Sequence, residues 1–150
     1  HKILSEKHEN LGIEMKVNLQ LDKNINLIGK IDRLVKIKDK TLLIDYKTSK
    51  PPKNTDAFSL IKGTEQLSLY AYILEKHHGI KIDKAILWYL ENNKVVEAET
   101  EDISKIIYKI KDVFEKITEG IFTPNPSATC KNCSYKLICK YWQGVGKKEE

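Results

Sequence analysis

Apolar and polar residues alternate strictly from Gly12 to Leu21: Ile13, Met15, Val17, Leu19 and Leu21 fall on one face, Glu14, Lys16, Asn18 and Gln20 on the other. This period of two predicts a half-buried strand. The polar run Asp22-Lys23-Asn24 turns it back. Ile28 to Lys50 then reads as two further strands joined by Lys38-Asp39-Lys40, because Leu42-Leu43-Ile44 is too apolar for a loop. Three strands in a row with short polar turns predict an antiparallel meander. Ahead of them, His1 to about Asn10 reads as the end of a helix. Gln66 to His78 predicts a helix closed by Gly79, Lys84 to Leu90 a buried strand, and Val95 to Glu99 another after the turn Glu91-Asn92-Asn93-Lys94. Asp102 to Glu119 is the clearest helix. Ile103, Ile106, Ile107, Ile110, Val113, Phe114 and Ile117 form one apolar stripe, and Gly120 ends it. Its expected role is structural, packing on the sheet.

A chain of 150 residues sets the expectation of one domain over 1–150, with room for a core and none for a second. No signal-peptide pattern or apolar run of membrane-spanning length occurs, so a cytoplasmic protein with no membrane partner is expected. Nor is there a Gly-x-x-x-x-Gly-Lys phosphate loop, which argues against a built-in nucleotide motor. The net charge of +5 suits a polyanionic partner. Arg33 is the only arginine, so contacts to a nucleic-acid backbone are the better expectation than bidentate reading of base edges.

The candidate chemistry sits in the central strands. Asp45 and Lys47 are two apart on one strand and therefore share a face. Asp32, in the run Gly29-Lys30-Ile31-Asp32, stands on the preceding strand, and a hairpin would bring it close to Asp45. Two facing carboxylates repel unless a cation lies between them, and Mg²⁺ takes such oxygen ligands. A lysine there would hold an attacking water or steady a phosphate. The plainer reading makes all three solvated strand residues; an acid inside an apolar strand weighs against it, since buried charge is costly unless paired or liganded. On the next helix Gln66 and Tyr70 are i and i+4, neighbours on one face that could reach a phosphate or a base. Pro51-Pro52 stops regular structure, leaving Lys50 to Thr55 as a basic loop, either a DNA-backbone contact or a solvated connector. Towards the C-terminus, about 123–143, the spacing Cys130-x2-Cys133-x5-Cys139 points to a metal rather than to disulfides. Three thiolates are one short of the usual four.

Gly29-x-x-Asp32, Asp45-Tyr46-Lys47-Thr48 and Gln66-x-x-x-Tyr70, in this order, resemble the RecB-like branch of the PD-(D/E)XK nuclease superfamily, which includes the nuclease domains of RecB and AddB and the exonucleases of CRISPR spacer acquisition. The resemblance covers nearly the whole chain. It implies an α/β fold with a central mixed sheet flanked by helices, the restriction-endonuclease-like core. It also implies a Mg²⁺- or Mn²⁺-dependent deoxyribonuclease, an exonuclease of DNA repair, recombination or CRISPR spacer acquisition. Asp32, Asp45, the Tyr46 carbonyl and an upstream histidine would hold the metal, Lys47 would complete the catalytic set, and Gln66 and Tyr70 would position DNA. His1 fits the histidine by spacing, with His8 as competitor. The resemblance further implies a structural [4Fe–4S] cluster on Cys130, Cys133 and Cys139, its fourth cysteine lying upstream of His1, and a helicase or CRISPR integration complex as partner. The alternative is a catalytically silent nucleic-acid-binding or assembly module of the same fold.

Overall fold

The computed structural model describes residues 5–51, 58–98 and 102–142. Strands β1 (Glu9–Asp22), β2 (Ile25–Ile37) and β3 (Lys40–Lys47) form the expected meander. Helix α1 (Phe58–His78) crosses to β4 (Lys84–Tyr89), and β5 (Lys94–Ala98) follows. The sheet runs β1-β2-β3-β4-β5, with β3 and β4 parallel and every other pair antiparallel. One parallel pair in an antiparallel setting needs a crossover, and α1 supplies it. The result is a mixed sheet with helices, the α/β architecture expected.

Strand β3 carries the site because both its faces are covered. Leu43 points towards α1 and joins a core of Val17, Ile31, Leu34, Leu67, Ile73 and Leu87. Leu42 and Ile44 point the other way, against Val35, Ile86 and Trp88. A strand buried on both sides reads as a continuous apolar run, which is why Leu42-Leu43-Ile44 showed no alternation.

Two boundaries differ from expectation. Glu9 and Asn10 are already in β1, paired with Lys36 and Val35, so the chain is extended where a helix end was expected; residues 1–4 lie outside the described residues. Helix α1 starts at Phe58, eight residues before the expected Gln66. Gly63 reads as a breaker, yet it is buried in the helix, where a Cβ would lie 2.8 Å from Leu87 Cδ1. A glycine in a helix costs about 1 kcal/mol relative to alanine; here it lets α1 approach β4. At the other end Gly79 takes a φ of +64°, and the Ile80 N–H reaches back to the Leu74 carbonyl at 3.1 Å. That is a glycine stop of the expected kind.

The chain divides into two compact units after Lys111, within α2 (Ile103–Thr118). In the first, Ile106 is buried and Lys109 pairs with Glu65 of α1 at 2.7 Å. In the second, Val113 and Ile117 are about half exposed, and the chain continues through a 3-10 helix, Ala128–Asn132. No described helix is long and apolar enough to cross a membrane.

Candidate active site

The β2–β3 ladder runs from Ile37↔Lys40 to Arg33↔Ile44 and stops. One more step in that register would pair Asp32 with Asp45. Instead the strands part there, while β3 stays paired with β4 as far as Lys47↔Tyr89. The Tyr46 N–H donates to Asp32 Oδ2 at 2.7 Å. A side chain has replaced a backbone acceptor, and the opening between the strands is lined by the two acids.

Asp45 and Lys47 share the face towards α1, as the period of two requires. Asp45 is 7 % exposed. Lys47 Nζ stands 2.7 Å from the buried Asp45 Oδ2 as an ion pair, with no other described side chain bonded to that oxygen. Burial pushes the Asp45 carboxyl above its ordinary range; Lys47 pulls it back, and the charge of Asp32 adds to the upward push. A buried carboxylate next to a second carboxylate, with a single lysine between them and α1, fits a hard divalent cation. Among the described residues no three His, Cys, Asp or Glu side chains converge on one metal position. The Tyr46 side chain is turned to the opposite face, 5.7 Å from the Trp88 ring, leaving only its backbone at the acids.

Of the two candidate histidines, His1 lies outside the described residues. His8 is not at the acids. Its Nε2 lies 3.2 Å from Arg33 Nη2, and the same guanidinium donates to Asn10 Oδ1 at 2.9 Å and to the Tyr46 hydroxyl at 3.4 Å. Because Tyr46 alternates with Asp45 along β3, this cluster occupies the other side of the sheet.

Gln66 and Tyr70 do join the site. Lys47 Nζ donates to Gln66 Oε1 at 3.3 Å, and Gln66 Nε2 donates to the Tyr70 hydroxyl at 3.1 Å. The Lys30 N–H reaches the same hydroxyl at 3.4 Å. An oxygen that accepts twice still carries its own proton as a donor. The chain Asp45–Lys47–Gln66–Tyr70 thus links β3 to α1 and ends at the backbone of β2. Gly29 makes this closure possible, because any Cβ there would run into the Tyr70 ring. The glycine of Gly-x-x-Asp is a close-approach position.

Sequence reasoning missed Tyr89. In the parallel register it is the neighbour of Lys47, it is buried, and burial pushes its phenol upward against the pull of Lys47, with Asp45 adding to the push. In Lys84 to Leu90 it reads only as one more apolar residue. The signal lay in parity, since Tyr89 and Leu87 share a face and Leu87 lies in the core against α1.

In the second unit Cys130, Cys133 and Cys139 are free thiols lining one cavity of about 110 Å³ with Pro124, Pro126 and Trp142. Tight turns gather them: the Cys133 N–H bonds the Cys130 carbonyl at 3.1 Å, and the Ser127 N–H points at Cys130 Sγ from 3.4 Å.

No curated protein matches this chain. The fold is shared with the crystal structure of SSO0001, at 21% sequence identity and a TM-score of 0.59, over 90% of this chain and 60% of that one. This chain therefore spans less than two thirds of that protein. The sequence profile of the PD-(D/E)XK nuclease superfamily matches residues 1–140, a span that holds both acids, Lys47, Gln66, Tyr70 and all three cysteines. With that match over nearly its whole length, the chain belongs to the PD-(D/E)XK nuclease superfamily.

Proposed function

We propose that this protein is a metal-dependent deoxyribonuclease of the RecB-like branch, hydrolysing DNA phosphodiester bonds. The observation that carries the reading is the buried Asp45 carboxylate, paired with Lys47, beside Asp32 where β2 and β3 part. Asp32, Asp45, the Tyr46 carbonyl and His1 would hold Mg²⁺ or Mn²⁺. Such an ion supplies Lewis-acid polarisation of a phosphate oxygen and a bound water of lowered pKa. Lys47, held between Asp45 and Gln66, orients the water and offsets charge developing on the phosphate. Gln66 fixes Lys47 and Tyr70 in one chain, and the Tyr70 hydroxyl donates to the DNA strand. Lysine-rich surface, within a net charge of +5, supports contact with a phosphate backbone.

Within this reading the protein is an exonuclease of DNA repair, recombination or CRISPR spacer acquisition in the cytoplasm, fed by a helicase or an integration complex. The residues 1–150 act as one nuclease domain. Cys130, Cys133 and Cys139, which line one cavity, would hold the [4Fe–4S] cluster together with a fourth cysteine from upstream. The deciding experiment incubates labelled single- and double-stranded DNA with the protein in Mg²⁺, Mn²⁺ or EDTA. Cleavage with either ion, none with EDTA, and none by a folded Asp45→Ala variant are expected. DNA binding without cleavage under every condition would instead identify a silent binding module.

A further inference from the structure

Side chains alternate along a strand, so residues three apart face opposite ways. Two facing stretches of the sheet break this rule. On β2, Ile31 and Leu34 both lie in the core against α1, while Arg33 and Val35 face the other side. On β1, a Cβ built on Gly12 would lie 3.3 Å from Met15 Cβ, so positions 12 and 15 also share a face. The pairs Gly12↔Leu34, Ile13↔Arg33 and Met15↔Ile31 stay in one register through the break. Each strand therefore carries one extra step at the same place, and the residues facing each other across it are Glu14 and Asp32.

The backbone of Glu14 makes the step, with a φ of +52° in the middle of a strand. That left-handed region is uncommon for a residue with a side chain and costs it backbone energy. The Glu14 side chain is paired with Lys30 but 57% exposed, so its charge does not account for the conformation. The consequence falls on Asp32. Alternation running on from Leu27, Gly29 and Ile31 would turn Asp32 away from α1, whereas Asp45 faces α1. With the extra step Asp32 meets the Tyr46 N–H and lies near Asp45.

We propose that Glu14 is a positioning residue for Asp32: its left-handed backbone shifts β2 by one side-chain step and aims the Asp32 carboxylate into the opening between β2 and β3. This rests on the reading of Asp32 and Asp45 as the cation-holding pair. Irregular steps of this kind re-aim side chains next to active sites. The acting group is the backbone, so what matters at position 14 is tolerance of positive φ.

The test uses Glu14→Gly, Glu14→Asn and Glu14→Val, all of which remove the carboxylate. Two quantities are read without DNA: Mn²⁺ affinity from the free-ion electron paramagnetic resonance signal, and hydrogen exchange of the Tyr46 amide by nuclear magnetic resonance. Glycine and asparagine accept positive φ and should keep wild-type values in both. Valine does not, and should weaken Mn²⁺ binding and speed Tyr46 exchange by about tenfold or more, while the amides of Leu42 and Leu43 change little. A merely structural role would speed exchange along the whole strand. Should Glu14→Val fail to fold, Glu14→Ala takes its place and should exchange faster at Tyr46 than Glu14→Gly. The proposal is overturned if valine or alanine matches glycine in both readouts, or if Glu14→Gly and Glu14→Asn lose Mn²⁺ as severely as valine, which would make the carboxylate the acting group. If the wild type binds no Mn²⁺, the metal-dependent reading fails, while Tyr46 exchange still decides the positioning role.

Discussion

Adding one methyl group at Gly29 should damage both stability and turnover. A Cβ built there lies 3.2 Å from both Tyr70 Cζ and the Tyr70 hydroxyl oxygen, and nearer still to Cε1. Carbon atoms in ordinary contact stand about 3.5–4.0 Å apart. In Gly29→Ala the ring must therefore withdraw by roughly an ångström, or β2 must shift by as much. Tyr70 is 9 % exposed and packed in the core against Leu67 and Leu74, so it has little room to yield. Overpacking of this kind costs about 1–3 kcal/mol. For a chain of this size each kcal/mol lowers Tm by about 2–4 °C. The displaced ring also pulls its hydroxyl from Gln66, which holds Lys47, and a misplacement of that size reduces turnover by about 10²-fold. Thermal melts and single-turnover cleavage of labelled DNA read the two losses. The contact itself is isolated by repeating Gly29→Ala in a Tyr70→Ala background, where no ring remains to be struck. The methyl should then cost little, giving a coupling energy of about 1–3 kcal/mol. If the two changes add independently, or Gly29→Ala melts and cuts like the wild type, the close-approach account of Gly29 is wrong.

Asp45→Asn should flatten the dependence of stability on pH. Burial raises the folded carboxyl above its ordinary value of 3.8, so the folded state holds this proton more tightly than the unfolded chain does. Relative to Asp45→Asn, the wild type must then lose stability as pH rises from that value through the raised folded one. Urea melts of both proteins from acid to neutral pH without divalent ions measure it, and a wild type that gains stability relative to Asp45→Asn across the window would contradict the assignment. Binding of labelled single-stranded DNA should weaken on a log–log plot against salt, with a slope of about 0.7 per phosphate contact; a flat response would remove the lysines from the DNA path. A longer chain that carries a fourth cysteine upstream of His1 should turn brown on anaerobic supply of iron and sulfide, and Cys133→Ala should prevent it. If that longer chain stays colourless, with no iron by elemental analysis, the cluster is ruled out.

What could be read in the sequence was whatever depends on period and order. Alternation in β1 and the turns at Asp22-Lys23-Asn24 and Lys38-Asp39-Lys40 were sufficient for the meander, and two-residue spacing put Asp45 and Lys47 on one face. The start of α1 was not readable, because Gly63 is a local breaker whose place in the helix is decided by Leu87 of a strand over twenty residues away. Asp32 was named from its motif, but alternation alone gives the wrong face for it. The extra step shared with Glu14 belongs to two paired strands at once, and no pattern on one strand shows it. Tyr89 was hidden for the same reason, since its place beside Lys47 follows from parallel pairing across a crossover.

The departures from regular sheet structure are linked, and that explains why the site can persist in a marginally stable fold. Glu14 is held in a costly backbone conformation, Gly29 gives up a side chain, and the Asp45 carboxylate is buried. Each costs on the order of 1 kcal/mol or more if it stands alone. Here each is also the condition for a contact elsewhere. The step at Glu14 gives the Tyr46 N–H its acceptor on Asp32, and the bare backbone at Gly29 lets Tyr70 reach Gln66. Gln66 in turn accepts a hydrogen bond from Lys47, the cation beside Asp45. The burial of the Asp45 carboxylate is offset by Lys47 alone among the described side chains. A divalent ion would offset it further, so Mn²⁺ should raise Tm, by an amount set by its concentration relative to Kd, about 2.7 kcal/mol at a hundredfold excess. Asp45→Ala should abolish that rise, whereas Lys47→Met should preserve it. A rise that survives Asp45→Ala would place the ion elsewhere.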